Sequence, residues 1–575
     1  MGNKLELTWY GKEKEIKVEP RILIEDKEKS NIKNDPNTEN MLIHGDNLIA
    51  LKAIENKYAG QIKCIYIDPP YNIAAANPYY DDNLENSEWL NLIRPRIEIL
   101  WNLLSEDGLL AVQIDDEQFA RLFLLMTEIC GQSNMKIVCV KMSEATGVKM
   151  ASVNRAKSIA KLKEFIILGK KDGIRNLYIE KIPKDKWDEE YKIWVEGVTK
   201  EELEELKEIM DDDAIDDNTI RRADNIASKI HMIPIKEIFH REKIKEDNIY
   251  EFRYENAWRI MRDVAVTGAA KKLADLKRDS VDGESFLILT PRGKKYLMKK
   301  DYNKEASQPR CKLLFADQYL TLHAGDLWTD IKTTGLDNEG VVDFPNGKKP
   351  EKLVKRIIQM NTSEGDIVLD SFLGSGTTSA VAHKMNRRWI GIEMGEHAYT
   401  HSKVRLDYVI QGKDNSGISS DVNWKGGGGY RFYELAPSLI NEDDFGEYVI
   451  NKDYNADMLA AAVALHEGFE YNPDSEVFWK QSKANESSYL FVTTKHLNEL
   501  YLDSIISTME ENEYLIIACK SFDGEIENKY PNITIKKIPQ MLLSKCEFDR
   551  DNYNLNIINP PTYEDSDEYE EEDDE

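Results

Sequence analysis

The run Ile62-Lys63-Cys64-Ile65-Tyr66-Ile67 is apolar at five of six positions and stops at Asp68-Pro69-Pro70-Tyr71. An apolar run this short, bounded by turn residues, fits a strand buried on both faces, the strand type of a parallel α/β sheet. Two consecutive prolines donate no backbone hydrogen bond, so pairing ends there and the chain leaves the sheet. The surrounding pattern agrees. Within Ser87–Leu104, Trp89, Leu90, Ile93, Ile97, Leu100 and Leu104 recur at helical spacing, and Gly108–Ile114 reads as the next strand.

Ligands of such sheets bind at the carboxyl ends of strands, where Asp68 stands. An exocyclic amino group offers two N–H donors. The Asp68 carboxylate and the Pro69 carbonyl can accept both, which leaves the nitrogen lone pair free to attack an electrophile. Tyr71 offers a face on which an extruded base stacks, worth roughly 1–3 kcal/mol. A strand-ending turn with no chemistry is the competing reading of this tetrapeptide.

About 300 residues later, Asp366-Ile367-Val368-Leu369-Asp370-Ser371-Phe372-Leu373-Gly374-Ser375-Gly376-Thr377-Thr378 runs from an apolar segment into a glycine turn that opens a helix. Glycines there let the backbone approach a ligand closely. The next strand, Trp389–Ile392, ends in Glu393, an acid placed to bind ribose hydroxyls. Ser379 stands where a dinucleotide motif needs its third glycine, and no phosphate-loop motif exists. Paired with Asp68–Tyr71, the unit fits a nucleoside-bearing methyl donor.

The net charge of −28 argues at face value against nucleic acid, but its distribution weakens that argument. Ten of the twelve residues Glu564–Glu575 are acidic, and Glu201–Asp217 holds ten acids against one lysine. Lys136–Lys171 carries nine Lys/Arg against two Glu, and Glu251–Lys312 fifteen against nine acids. The six cysteines show no metal-type spacing, so no metal site is expected and the thiols read as reduced. No run of about 18 apolar residues suggests a membrane span, nor does the N-terminus resemble a signal peptide. Along the chain we expect an N-terminal arm (1–40), one catalytic half (41–132), a basic inserted domain (133–330), a cofactor-binding half (331–422), a C-terminal α/β domain (423–560) and an acidic tail (561–575). Lys425-Gly426-Gly427-Gly428-Gly429 reads as a flexible joint.

Asp-Pro-Pro-Tyr followed by Phe-x-Gly-x-Gly resembles the signature pair of the DNA amino-methyltransferases. The order, catalytic motif first with a large insert between, is similar to the permuted beta class. Met41-Leu42-Ile43-His44-Gly45-Asp46-Asn47, Ser87-Glu88-Trp89-Leu90 and Phe344-Pro345-Asn346-Gly347-Lys348-Lys349-Pro350 look like the modification subunits of type III restriction–modification systems. The resemblance implies a Rossmann-like class I methyltransferase fold: α/β, a mixed, mostly parallel sheet of permuted motif order, an inserted target-recognition domain and a C-terminal α/β domain. It implies S-adenosyl-L-methionine as cofactor and double-stranded DNA as substrate, with N6 of adenine methylated after base flipping. Asp68, Pro69, Pro70 and Tyr71 would form the catalytic clamp. Asp370, Phe372, Gly374, Ser375, Gly376 and Thr377 would cradle the methionine part and Glu393 the ribose, while Lys349 and Pro350 would close over the cofactor. Asp46 would contact the adenine end, unless it merely caps the helix from Leu48. A homodimer, docking to a helicase–nuclease restriction subunit in a prokaryotic cytoplasm, is expected by the same analogy. The alternatives are a solitary or phage-defence methyltransferase, N4 of cytosine as target, and a catalytically idle DNA-binding module. Asn72–Asn77 and Ser371 depart from the family pattern. The insert's base-reading residues are not legible; Lys149, Arg155 and Arg259 are basic candidates that serve equally as phosphate contacts.

Overall fold

The computed structural model describes residues 6–14, 16–71, 86–144, 153–155, 157–184, 186–212, 216–291, 293–333, 335–344, 347–551 and 553. They form two compact units, one of residues 1–178 with 325–575 and one of Ile179–Ala324.

The first unit is built on a ten-stranded sheet. Its strands are β1 (Leu23–Asn31), β2 (Met41–His44), β3 (Ile62–Ile67), β4 (Leu104–Ile114), β5 (Met135–Lys141), β6 (Lys163–Lys170), β7 (Leu327–Trp328), β8 (Ile367–Asp370), β9 (Arg388–Glu393) and β10 (Tyr430–Leu435). The spatial order is β1-β10-β2-β9-β8-β3-β4-β6-β5-β7. From β10 to β4 the pairs are all parallel, whereas β6 runs antiparallel to both β4 and β5. This is the expected Rossmann-like, mostly parallel sheet. The chain builds β2, β3 and β4 before β8 and β9, so the motif order is permuted as expected.

Helices α1 (Asn47–Tyr58), α2 (Asn86–Leu103) and α3 (Asp116–Cys130) follow β2, β3 and β4. The apolar spacing read in Ser87–Leu104 is the buried face of α2. Trp89, Ile93, Ile97 and Leu100 share one core with Leu48, Leu51 and Ile54 of α1 and with Ile65, Ile67, Leu110 and Leu369 of the sheet. Strand residues of the other parity, such as Cys64 and Val368, are equally buried. There α4 (Glu351–Asn361) packs on β3, and α5 (Thr377–Lys384) packs on β8 and β9. Strands covered on both faces read as unbroken apolar runs, which explains the pattern of Ile62–Ile67.

Several expected boundaries move. Residues 1–40 are more than an arm: β1 pairs antiparallel with β10 and closes one edge of the sheet. Its sequence, LIEDKEKSN, is polar because an edge strand is half solvated, and this hid it. The insert does not begin at 133, since β5 and β6 complete the main sheet and the separate unit starts at Ile179. Nor does the C-terminal part begin at 423, because β10 belongs to the main sheet. Beyond it, β11 (Glu470–Tyr471), β12 (Ser482–Asn485), β13 (Ser488–Leu497), β14 (Tyr514–Phe522) and β15 (Ile533–Lys537) form a second sheet in that order. Its three long strands contain the runs Tyr489–Thr493, Tyr514–Cys519 and Ile533–Lys537, and a helix at Glu499–Ile506 lies between the first two. The acidic tail lies outside the described residues.

In the second unit six antiparallel strands follow the order 285–289, 295–299, 310–315, 260–265, 193–196, 231–234. The acidic run is not merely a solvated stretch. Its first part folds as the helix Lys200–Asp211, opened by a Thr199–Glu202 capping box, with Leu203, Leu206 and Ile209 buried.

The glycine joint is held. Gly429 O accepts from Thr38 Oγ1 at 2.8 Å and Asn40 Nδ2 at 2.9 Å, and Gly427 O accepts from His383 Nε2 at 2.9 Å. At Gly428 φ is +75°, and a Cβ would meet the His383 ring at 2.7 Å. Glycine serves close approach here, not looseness. Gly428→Ala is expected to destabilise the chain by roughly 1–3 kcal/mol. Denaturant unfolding measures this, and an unchanged midpoint would mean the joint is loose after all.

Candidate active site

Each of five parallel strands is followed by an acid: Asp46 after β2, Glu393 ending β9, Asp370 ending β8, Asp68 after β3 and Asp115 after β4. Two of these are helix caps. Asp115 accepts from Glu117 N at 2.9 Å and Gln118 N at 3.4 Å. Asp46 accepts from Leu48 N at 2.9 Å and Ile49 N at 3.2 Å through one oxygen, while the other takes Arg96 Nη2 at 3.4 Å and Tyr553 N at 3.2 Å. Asp46 thus has the capping geometry that competed with a cofactor role.

Asp68 and Asp370 stand at the tips of neighbouring strands. Val368 pairs with Cys64 and Leu369 with Ile65, so Asp370 lies level with Tyr66, two residues before Asp68. From β8 the sheet is built outward in both directions, and the crevice between β8 and β3 is the point where such folds bind ligands. The two sequence motifs therefore meet in one place.

Around Asp68, burial raises the carboxyl above its usual range, and Glu164 raises it further; Lys349 and the Tyr71 hydrogen bond act against this. Lys349 Nζ lies 3.1 Å from Asp68 Oδ2. Tyr71 Oη lies 2.6 Å from Asp68 Oδ1 and 2.9 Å from Glu164 Oε2, so its single proton serves one of the two. Trp89 Nε1 donates to Pro70 O at 2.8 Å and fixes the turn. Pro69 is buried, and among the described residues its carbonyl accepts no hydrogen bond. The two acceptors proposed for an amino group are thus close together at the strand tip. Asn72–Asn77 lie outside the described residues, as do Pro345 and Asn346.

At the glycine turn, burial pushes Asp370 up to about 7, against its bonds from Thr378 Oγ1 at 2.5 Å and Phe372 N at 2.9 Å. Gly374 and Gly376 have φ of +55° and +82°. Among the described residues a Cβ on Gly374 would touch only the Phe344 ring, at 3.7 Å; on Gly376 it would press on Ser402 Cα at 3.1 Å. Ser371 Oγ is buried with no hydrogen-bond partner among the described residues. Glu393 takes Gly374 N at 2.6 Å, Met394 N at 2.8 Å and His397 Nε2 at 2.8 Å. Burial would raise Glu393, but the His397 charge and these bonds hold it below the usual carboxylate range. Phe372 is part of the main core. Ser375 and Thr377 are buried 3.2 Å apart at their hydroxyls, where Arg405 Nη1 donates to Thr377 at 2.7 Å.

Pro350 is the N-cap of α4 and sets Lys349 just outside that helix. Lys349, in the segment expected to close over the cofactor, has its ammonium at Asp68 and Tyr71. Sequence reasoning missed Glu164, Gln113, His397 and Arg405. Glu164 sits on β6, in a basic segment read as insert, and only the pairing of β6 with β4 brings it to the tip of β3. Of the basic candidates in the insert, Arg259 donates to Val195 O and stacks on Trp194 and Trp258, a structural placement. Arg155 is exposed, and Lys149 lies outside the described residues. The second unit also holds a groove of about 1220 Å³ whose lining includes Lys192, Lys236, Arg253, Arg278, Lys299 and Lys300.

Sequence comparison places these residues in a wider set. The probable type III restriction–modification enzyme HindVI Mod subunit of Haemophilus influenzae is 36% identical over 424 residues, covering 69% of this chain and 54% of that protein. The chain thus spans about half the length of this relative. The type III EcoPI Mod subunit of Escherichia phage P1 is 25% identical, over 90% of this chain and 78% of that one. The solved PvuII DNA methyltransferase (cytosine-N4-specific) aligns at 15% identity and a TM-score of 0.31, over 67% of this chain and 91% of its own. The DNA methylase profile matches residues 62–404, which run from the first residue of β3 through both motifs and past the Glu393 carboxylate. With more than half of its residues inside that match, the chain belongs to the DNA methylase family.

Proposed function

We propose that this chain transfers a methyl group from S-adenosyl-L-methionine to the N6 amino group of adenine in duplex DNA. The observation that carries the reading is the pairing of β3 with β8, which sets an amino-group acceptor beside a glycine cradle. The residues fit the cofactor: among the described residues the buried Ser371 hydroxyl lacks a partner, and a Cβ at Gly374 would meet nothing but the Phe344 ring within 4 Å. Ser371, Gly374 and Asp370 would hold the methionine end and Glu393 the ribose. The bound cofactor supplies an electrophilic methyl group on a sulfonium.

The protein's part is positioning. Asp68 and the Pro69 carbonyl accept the two N–H groups and aim the nitrogen lone pair, and Tyr71 stacks on the base. Because the amino group is buried in a duplex, the base is first extruded. The groove of the second unit, lined by six Lys/Arg against four Asp/Glu, is the surface we assign to backbone phosphates, which position DNA without reading sequence. By analogy with the type III relatives, the chain is a modification subunit: a homodimer in a prokaryotic cytoplasm, serving a restriction partner.

Incubation of the protein with cofactor and duplex DNA, followed by nucleoside mass spectrometry, should yield N6-methyladenine, and Asp68→Ala should lower the rate about a hundredfold or more. N4-methylcytosine as the product would overturn the adenine assignment, and full activity in the variant would overturn the clamp.

Asp370 gives a second expectation. A cationic ligand in the turn favours its ionised form, so binding between pH 5 and 7 should release a proton, and affinity should fall as pH drops below about 7. Calorimetry in two buffers of different ionisation enthalpy reads this. An Asp370→Asn variant with the same proton release as the natural chain would sink the idea. Light scattering at micromolar concentration tests the dimer, which a monomeric mass would rule out.

A further inference from the structure

The Lys349 ammonium is shared. It lies 3.1 Å from Asp68 Oδ2 and 3.2 Å from Glu164 Oε2, with side-chain exposures of 11%, 19% and 19% for Lys349, Asp68 and Glu164. It also donates to Tyr71 Oη at 2.8 Å. Glu164 accepts from Gln113 Nε2 at 2.5 Å, and Gln113 Oε1 accepts from Tyr66 Oη at 2.6 Å. Four separate stretches of chain meet here: β3 with its turn, β4, β6 and the segment before α4.

One ammonium between two carboxylates leaves this centre with an excess negative charge. A Lys349–Asp68 pair alone would be neutral, and the ammonium would then compete with an incoming amino group for the same acceptor oxygens. Resting on the methyl-transfer reading, we propose that Glu164 is a positioning residue. By taking a share of the Lys349 ammonium it keeps the Asp68 carboxylate available to the target amino group. It also leaves one uncompensated negative charge beside the nitrogen on which positive charge develops. As the N–C bond forms from the nitrogen lone pair, the C–S bond breaks and its electron pair returns to sulfur. The surplus proton on nitrogen passes to Asp68 and then to solvent. Charges this close and this sheltered from water interact strongly, so the balance among the three groups sets how well Asp68 accepts.

Among the described residues, the groups facing Asp68 are Lys349 ahead of α4, Glu164 on β6, Tyr71 on its own turn, Tyr66 on β3 and Asp370 at the tip of β8. Glu164 raises the Asp68 carboxyl and Lys349 lowers it, in addition to the upward effect of burial. Losing the Glu164 charge therefore lowers it, and losing the Lys349 charge raises it.

The test is the single-turnover methylation rate of the full chain on duplex DNA against pH, for the natural sequence, Glu164→Gln, Lys349→Met and the double variant, with cofactor binding measured for each. Glu164→Gln should slow the reaction about tenfold or more. The acid limb should move down by about one pH unit in Glu164→Gln and up by about one to three in Lys349→Met. The double variant should lie between the two single variants, since the opposing effects of Lys349 and Glu164 on Asp68 are then both removed. Limbs that stay put in both single variants, or move the same way, overturn the proposal. Should one single variant lose cofactor binding, the double variant decides: a limb above that of Glu164→Gln, or below that of Lys349→Met, supports the proposal, and a limb equal to the remaining single variant's, or lost activity, overturns it. A natural chain that methylates no DNA defeats the methyltransferase reading itself, whereas an active chain with immobile limbs defeats only this inference.

Discussion

Parallel pairing between β3 and β8 joins two strands about 300 residues apart in the chain, and the rest of the first unit is arranged around it. Their shared hydrogen bonds fix the level of Asp370 against Tyr66, and so the distance between the acceptor and the glycine turn. Each strand then recruits its own neighbours, β4 and β6 on one side and β9, β2 and β10 on the other. The helices cover the faces of the sheet, and the carboxyl tips of its strands are where such folds bind ligands. A single slip of this register would take Asp68 away from the turn and flip the buried parity of Ile65 and Ile67.

A second set of contacts ties the two halves of the site behind the tips. Glu351, two residues beyond Lys349, meets Lys384 at 2.8 Å and Arg405 at 2.8 Å, all with side chains fully buried. Asp414 completes the cluster on Lys384 at 2.8 Å. Arg405 reaches on to Thr377, at the start of the helix that the glycine turn opens. These charges link the segment carrying Lys349 to the glycine turn. Buried ions of this kind are costly unless fully paired, so their place here marks positional precision more than stability.

The legible parts were those with strong local chemistry. Ile62–Ile67 announced itself because a strand covered on both faces is apolar throughout, and α2 because its buried stripe repeats at helical spacing. Asp68, Asp370 and Glu393 could be picked out because each ends such a strand. The residues that sequence reasoning missed have ordinary local surroundings. Glu164 lies among lysines on β6 and gains its meaning from an antiparallel partner some fifty residues earlier. The edge strand β1 is polar because water bathes one side of it, and Gly426–Gly429 are packed where composition suggests slack. Asp46 stands between these cases: its position was visible, but only hydrogen-bond geometry gives it a cap.

The chain leaves the main sheet after β6 and re-enters it at β7, and both crossings are fastened within the first unit. Tyr178 N donates to Met360 O at 2.8 Å, and Cys139 N to Asp326 O at 2.8 Å. Doubling the length of such an excursion costs only about 0.6 kcal/mol of closure entropy. The architecture therefore lets the segment between β6 and β7 grow or shrink at small entropic cost while both crossings stay held by the first unit.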